Sequence, residues 1–325
     1  MTFSSNPGRR WRRAVAVTCV ALAALAGCGG GTSQYDPFVP ERLIAFGDES
    51  SALTSSGRKY SINGFATVTD GSGTAEQFDC NALPNWVQSL AGFYGYTFAQ
   101  CNPANTDILK ALNFAAAGAK ADDIKVQIDG LIAAGGFRQK DLVTVLAGAN
   151  DVIELYQQYP GRTETDLANE LRARGQRLAA QVNRLIDLGA RVILSTAPDM
   201  GVSPYAVKQR AEFSDTDRAA LLTRLTAAFN EQLGVNILLD GRYVALVQTD
   251  LRVAAIARSP ASFGVSNVTD GACLATAPVP TCSTQTLVDG AGAGTHLWAD
   301  DFNLAYAAQS QIAALAIDRA RRNPF

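Results

Sequence analysis

The sequence predicts an α/β fold, a mainly parallel sheet covered on both faces by helices, and three observations lead there. Short apolar runs recur at the length of buried strands, and longer amphipathic stretches separate them. Strand–helix alternation of this kind argues for parallel strands, with any site at their carboxyl ends. The chain is also long enough, at 325 residues and 47% hydrophobic, to bury a full core. In order, the expected elements begin with a strand at Leu43–Gly47 and a helix at Asn85–Phe93. A weaker strand near Ala111–Ala116, a helix at Asp122–Ala134 and a strand at Leu142–Gly148 follow. The next helix spans Glu164–Leu188, where Leu167, Leu171, Leu178, Val182 and Leu185 recur at helical spacing. A strand at Arg191–Ala197, a helix at Asp215–Leu239, a strand at Tyr243–Thr249 and a helix at Leu304–Arg322 complete the pattern. Residues 260–295, rich in Gly, Thr and Pro, read as a long loop. There is no internal repeat, so residues 41–325 are expected to form one domain.

The composition narrows the function classes. With 18% charged residues and 28 Lys+Arg against 30 Asp+Glu, the chain is neither a disordered tail nor a collagen-like repeat nor a multi-span membrane protein. The near-neutral balance argues against a nucleic-acid binder, which would gather a basic excess on one face.

The first residues read as an export signal. Arg9, Arg10, Arg12 and Arg13 make a basic region, followed by an apolar run from Ala14 to Ala26 that is too short to span a bilayer. It ends in Leu25-Ala26-Gly27-Cys28, which resembles the lipobox of bacterial lipoproteins. That resemblance implies cleavage after residue 27 and lipidation of Cys28, and Gly29 in place of Asp after the Cys favours the outer membrane. The alternative is an ordinary signal with an incidental Cys. Several acyl chains on one residue would hold the protein stably at a membrane. Residues 28–40 then form a flexible tether of Gly, Ser, Thr and Pro. Removing residues 1–27 takes four arginines and no acid, leaving 24 basic residues against 30 acidic ones. The exported body, at a formal charge of −6, is not expected to cling to anionic lipid by charge. Four cysteines remain, Cys80, Cys101, Cys273 and Cys282, and they allow three pairings. The sequence-local one, Cys80–Cys101 with Cys273–Cys282, is preferred and fits export. With no Cys-x-x-Cys spacing and a single His, no structural zinc and no cofactor are expected.

The strand ends carry the chemistry. The first closes with Phe46-Gly47-Asp48-Glu49-Ser50, and a second segment reads Asn113-Phe114-Ala115-Ala116-Ala117-Gly118-Ala119-Lys120. The central strand ends in Gly148-Ala149-Asn150-Asp151, and a later one runs into Ala197-Pro198-Asp199-Met200-Gly201. Before the last helix stands Leu297-Trp298-Ala299-Asp300-Asp301-Phe302-Asn303. In this order and spacing the set resembles the GDSL (SGNH) hydrolases, especially their exported lipase, esterase and lecithinase-like branch. Trp86-Val87 and Phe263–Asp270 with Cys273 look like that branch too, and the resemblance covers about residues 42–320.

The resemblance implies a flavodoxin-like three-layer α/β/α sandwich that hydrolyses carboxylic esters. A Ser attacks the carbonyl, a His takes its proton, and an Asp three residues before the His orients it. The Ser and a Gly N–H, with an Asn side chain, hold the oxyanion. On this sequence Gly118 and Asn150 fall on the oxyanion positions and Asp300 on the orienting acid. The nucleophile position is Glu49 and the base position is Asn303, so two of three triad positions are substituted while the hole is retained. A carboxylate attacking an ester could give only an anhydride, beside the negative charge it should help create. An amide such as Asn303 accepts no proton at working pH.

Ser50, one residue late, and the lone His296, four before Asp300, form a rival nucleophile and base. Against them, consecutive residues of a tight turn point in different directions. Ser50 also suits a helix N-cap and His296 an ordinary surface or packed position. Glu49 alternatively offers a ligand-binding carboxylate, and Trp298 and Phe302 could line an acyl pocket or pack in the core. Three functions follow: a lipid-anchored esterase or lipase working through Ser50 and His296, a catalytically dead relative binding an acyl, glycan or peptidoglycan-like ligand, and an envelope structural or partner-binding lipoprotein that uses the fold as a scaffold.

Overall fold

Why the apolar runs become strands is visible at β1 (Arg42–Gly47), whose Leu43, Ile44, Ala45 and Phe46 are all fully buried. The computed structural model describes residues 1–2, 38–70, 73–102 and 109–325. The signal segment 1–27, Cys28 and most of the 28–40 tether lie outside the described residues. β1 sits between β4 (Ala111–Asn113) and β5 (Asp141–Leu146), and β6 (Arg191–Ser195) and β7 (Val244–Val247) extend the sheet in the order β4-β1-β5-β6-β7. All four pairings are parallel, in a register such as Ile44 opposite Val143 and Leu112. β5 is buried at every position, as a strand covered on both faces must be.

Helices α1 (Trp86–Phe93), α2 (Asp123–Ala133), α3 (Ala149–Tyr156), α4 (Glu164–Asp187), α5 (Pro204–Glu212), α6 (Arg218–Asn236), α7 (Thr249–Arg258) and α8 (Tyr306–Arg322) cover the sheet. All five apolar positions expected on one face of α4 are buried, and each such leucine contributes roughly 1.5–3 kcal/mol. Gly175 of α4 lets α6 approach, since a Cβ there would overlap the Phe229 carbonyl. Caps decide the boundaries. The Thr163 hydroxyl accepts from the Asp166 N–H, 3.2 Å away, and starts α4. The Asp217 carboxylate accepts from the Ala220 N–H and starts α6 three residues later than the expected Asp215.

Other expectations need correcting. Two strands, β2 (Gly64–Asp70) and β3 (Gly73–Asp79), pair antiparallel and among the described residues pair with no other strand. The 260–295 segment is not all loop. It holds β8 (Asn267–Gly271), which pairs in parallel with β9 (His296–Trp298). The cysteines pair as Cys80–Cys101 and Cys273–Cys282. Among the described residues no helix is long and apolar enough to cross a membrane.

Candidate active site

Because β4, β1 and β5 are neighbours, the segments leaving their carboxyl ends converge. Gly47 closes β1 at φ +144°, and Gln127 of α2 holds it there through two 2.8 Å hydrogen bonds, donating to its carbonyl and accepting from its N–H. Asp48 then turns the chain, its carbonyl accepting from the Ser51 and Ala52 N–H groups at 3.0 Å. The turn points Glu49 across the ends of β4 and β5. One oxygen, Glu49 Oε2, accepts from both the Gly118 N–H and Asn150 Nδ2, each at 2.9 Å. The two donors expected at the oxyanion positions are therefore brought together, and the Glu49 side chain, expected at the nucleophile position, occupies the space between them. Donors preorganised in this way act on whatever negative oxygen lies there, and here that oxygen belongs to the protein.

The 300–303 turn closes the other side. Asn303 Nδ2 donates to both Asp300 oxygens, at 3.1 and 3.0 Å, and the Asn303 and Phe302 N–H groups donate to Oδ1. The acid is thus committed to the amide that stands at the base position. Glu49, Asn150 and Asn303 share a cleft of about 220 Å³ with Ile153, Met200 and Phe302, a polar floor beside an apolar wall. Phe302 packs on Tyr205 with ring centroids 4.8 Å apart, whereas Trp298 is fully buried in the core.

Ser50 and His296 do not line this cleft. No helix follows β1, so Ser50 is not a helix N-cap. It is buried, its N–H donates to Asp48 Oδ1 at 2.9 Å, and its carbonyl accepts from Gln309 of α8. His296 is buried in β9, its Nδ1 2.9 Å from the Thr295 hydroxyl, and burial lowers its pKa. Burial likewise raises the Asp48 carboxyl well above the usual range, and the neighbouring Glu49 charge adds to it.

Sequence reasoning quoted Asp151 in a motif without giving it a role. Its carboxylate accepts from the Ala121 N–H at 2.9 Å and from Arg174 at 3.2 Å, tying the loop that carries Gly118 to the helix that carries Asn150. Lys120 joins the same cluster through Glu154, at 2.7 Å. Arg174, 23 residues on in α4, was the only available signal, and nothing in its spacing announces the contact. Burial pushes the Asp151 pKa up to about 6, against the pull of Ala121 and Arg174. A carboxyl raised on folding holds its proton more tightly in the native state, so its charge weakens the fold above pH 6 and not below about 4. Asp151→Asn, neutral throughout, should therefore gain on the wild type by up to ~3 kcal/mol between pH 4 and 7 in urea titrations. A difference independent of pH would refute this. Among the described residues no group of three or more His, Cys, Asp or Glu could hold a metal.

The sequence matches the family model of the GDSL-like lipases and acylhydrolases over residues 43–240. The chain belongs to that family. The matched stretch carries Glu49, Gly118 and Asn150 and ends before the Asp300–Asn303 turn of this GDSL-family protein. Among solved structures, an acetylxylan esterase from Geobacillus stearothermophilus is 14% identical, covering 87% of this chain and 96% of its own, with a TM-score of 0.43. A lipase from a goat-rumen metagenome is 11% identical, with 85% and 96% covered and a TM-score of 0.46. No curated protein matches the sequence.

Proposed function

We propose that this GDSL-family protein is exported, anchored by lipid on Cys28 with its domain at the outer membrane, and without Ser-His-Asp catalysis, its cleft serving as a binding site for an acyl or glycan ligand. The observation that supports the loss of catalysis is the Glu49 carboxylate accepting from both Gly118 and Asn150. An ester carbonyl would have to displace it before any oxyanion could be held, and Asn303 offers no base. The apolar wall of Ile153, Met200 and Phe302 beside polar Glu49 and Asn150 suits a ligand with both kinds of surface.

The full chain is expected to give no turnover of short p-nitrophenyl esters above background and no covalent labelling by an alkyl phosphonate. Turnover abolished by both Ser50→Ala and His296→Ala would overturn this reading in favour of a rebuilt triad. Mass spectrometry of the membrane-extracted chain tests the anchor: a diacylglyceryl group on Cys28 supports it, and an unmodified Cys28 removes it.

A further inference from the structure

The sheet is parallel, and α2, α4 and α6 each lead back into the start of the next strand, while Asn323 just past α8 donates to the Gly241 and Val244 carbonyls at the start of β7, so strand beginnings and these helix ends meet at one pole, opposite the cleft. Phe38, the first described residue of the tether, packs on Phe325 just beyond α8, with centroids 5.6 Å apart, so the chain enters the domain there. Arg138, Lys140, Arg319 and Arg321 are exposed at this pole and form no ion pair among the described residues. Lys110 and Arg191 lie there too, over the rings of Tyr96 and Tyr243. Arg42, Arg242 and Arg322 are balanced by Asp141, Asp240 and Asp318. The acids near this pole without an ion pair among the described residues are Glu41, Asp187 and Glu231. Large apolar side chains are exposed on the segments that enter or border these strand beginnings: Val39, Leu109, Leu188, Val235, Leu238 and Leu239.

We infer that this pole is a footprint for an anionic phospholipid surface, so that the anchored domain lies down on the membrane with its cleft facing the water. The inference rests on the lipid-anchor reading. Basic residues interleaved with exposed apolar ones are what such a surface recruits, the cations pairing with headgroups and the apolar chains entering the interface. The formal charge of −6 does not oppose it, because charges farther than a Debye length, about 8 Å, are screened and only the facing pole is felt. A second copy is the poorer occupant, since an isologous contact would set the cations against one another. Ten residues from Cys28 to Phe38 reach at most ~35 Å, so the tether keeps this pole near the bilayer.

The test uses the full chain with phosphatidylcholine vesicles and with vesicles containing 30% phosphatidylglycerol, read by hydrogen–deuterium exchange. Protection of segments 138–141, 188–192 and 238–243 is expected only with phosphatidylglycerol. It should fade at high salt and in the triple variant Arg138→Glu, Lys140→Glu, Arg321→Glu, whose affinity for the anionic vesicles should fall at least about tenfold. The same exchange on both vesicles, or protection from self-association without lipid, overturns the footprint. Failure of the anchor shows separately, as complete release of the wild type from both vesicles by a high-salt wash.

Discussion

Glu49→Ser combined with Asn303→His is expected to turn this protein into an esterase, while either substitution alone leaves it inert. Glu49→Ser empties the space between the Gly118 N–H and Asn150 Nδ2 and puts a hydroxyl beside it. That hydroxyl stays unreactive without a base. Asn303 already donates from Nδ2 to both Asp300 oxygens, the contact an imidazole Nδ1–H would make, and it shares the cleft with residue 49. A general base contributes about 10²–10⁴-fold, so the double variant should exceed both singles by that order on p-nitrophenyl acetate. The gain is non-additive because the triad acts as a unit. Activity should rise with pH through the imidazole range near 6.5, since only neutral His accepts the proton. A double variant that folds like the wild type yet stays inert would show that the loss extends beyond positions 49 and 303.

Gly47→Ala should cost at least ~3 kcal/mol of stability, a large fraction of a domain's total. Two effects combine. The backbone sits at φ +144°, where L side chains are strained, and a Cβ would overlap the Leu146 carbonyl of the adjacent strand. Separation of β1 from β5 is the expected relief, and it would break the hydrogen bond from the Asp48 N–H to that carbonyl. The same movement loosens the Gln127 bridge and carries Glu49 off its donors. Urea unfolding of the variant measures the cost, and a loss below about 1 kcal/mol would mean that the strand end adapts without strain.

Four of the sheet strands, β1, β5, β6 and β7, were legible because each carries a short, mostly apolar run, whereas β4, only Ala-Leu-Asn, gave a weaker signal. The antiparallel pair of β2 and β3 was not legible. Thr67, Val68 and Thr69 are exposed there, β3 is exposed from Gly73 to Gln77 before Phe78 packs on the core, and the apolar alternation that marks a half-buried strand is missing. The helices α5 and α7 were unread because few of their residues are buried. β8 stayed hidden in a loop composition because it pairs only with β9, across 29 residues. The reading of Glu49 and Asn303 as substitutions rests on a different signal: each stands at a fixed offset inside a local motif, so residue identity alone carries that expectation.

Sequence by itself therefore determined the fold class, the family likeness and the chemistry available at each site position, since these depend on local pattern and on which atoms a side chain carries. Tertiary structure alone decided where those atoms point. Glu49, Gly118 and Asn150 are separated by 69 and 32 residues and meet only because β4, β1 and β5 are neighbours in the sheet. The same geometry keeps Ser50 and His296 out of the cleft. Charge is the other case. A formal count gives one number for the chain, but the parallel sheet sorts strand beginnings and helix ends to one pole, and that sorting sets which charges a partner meets.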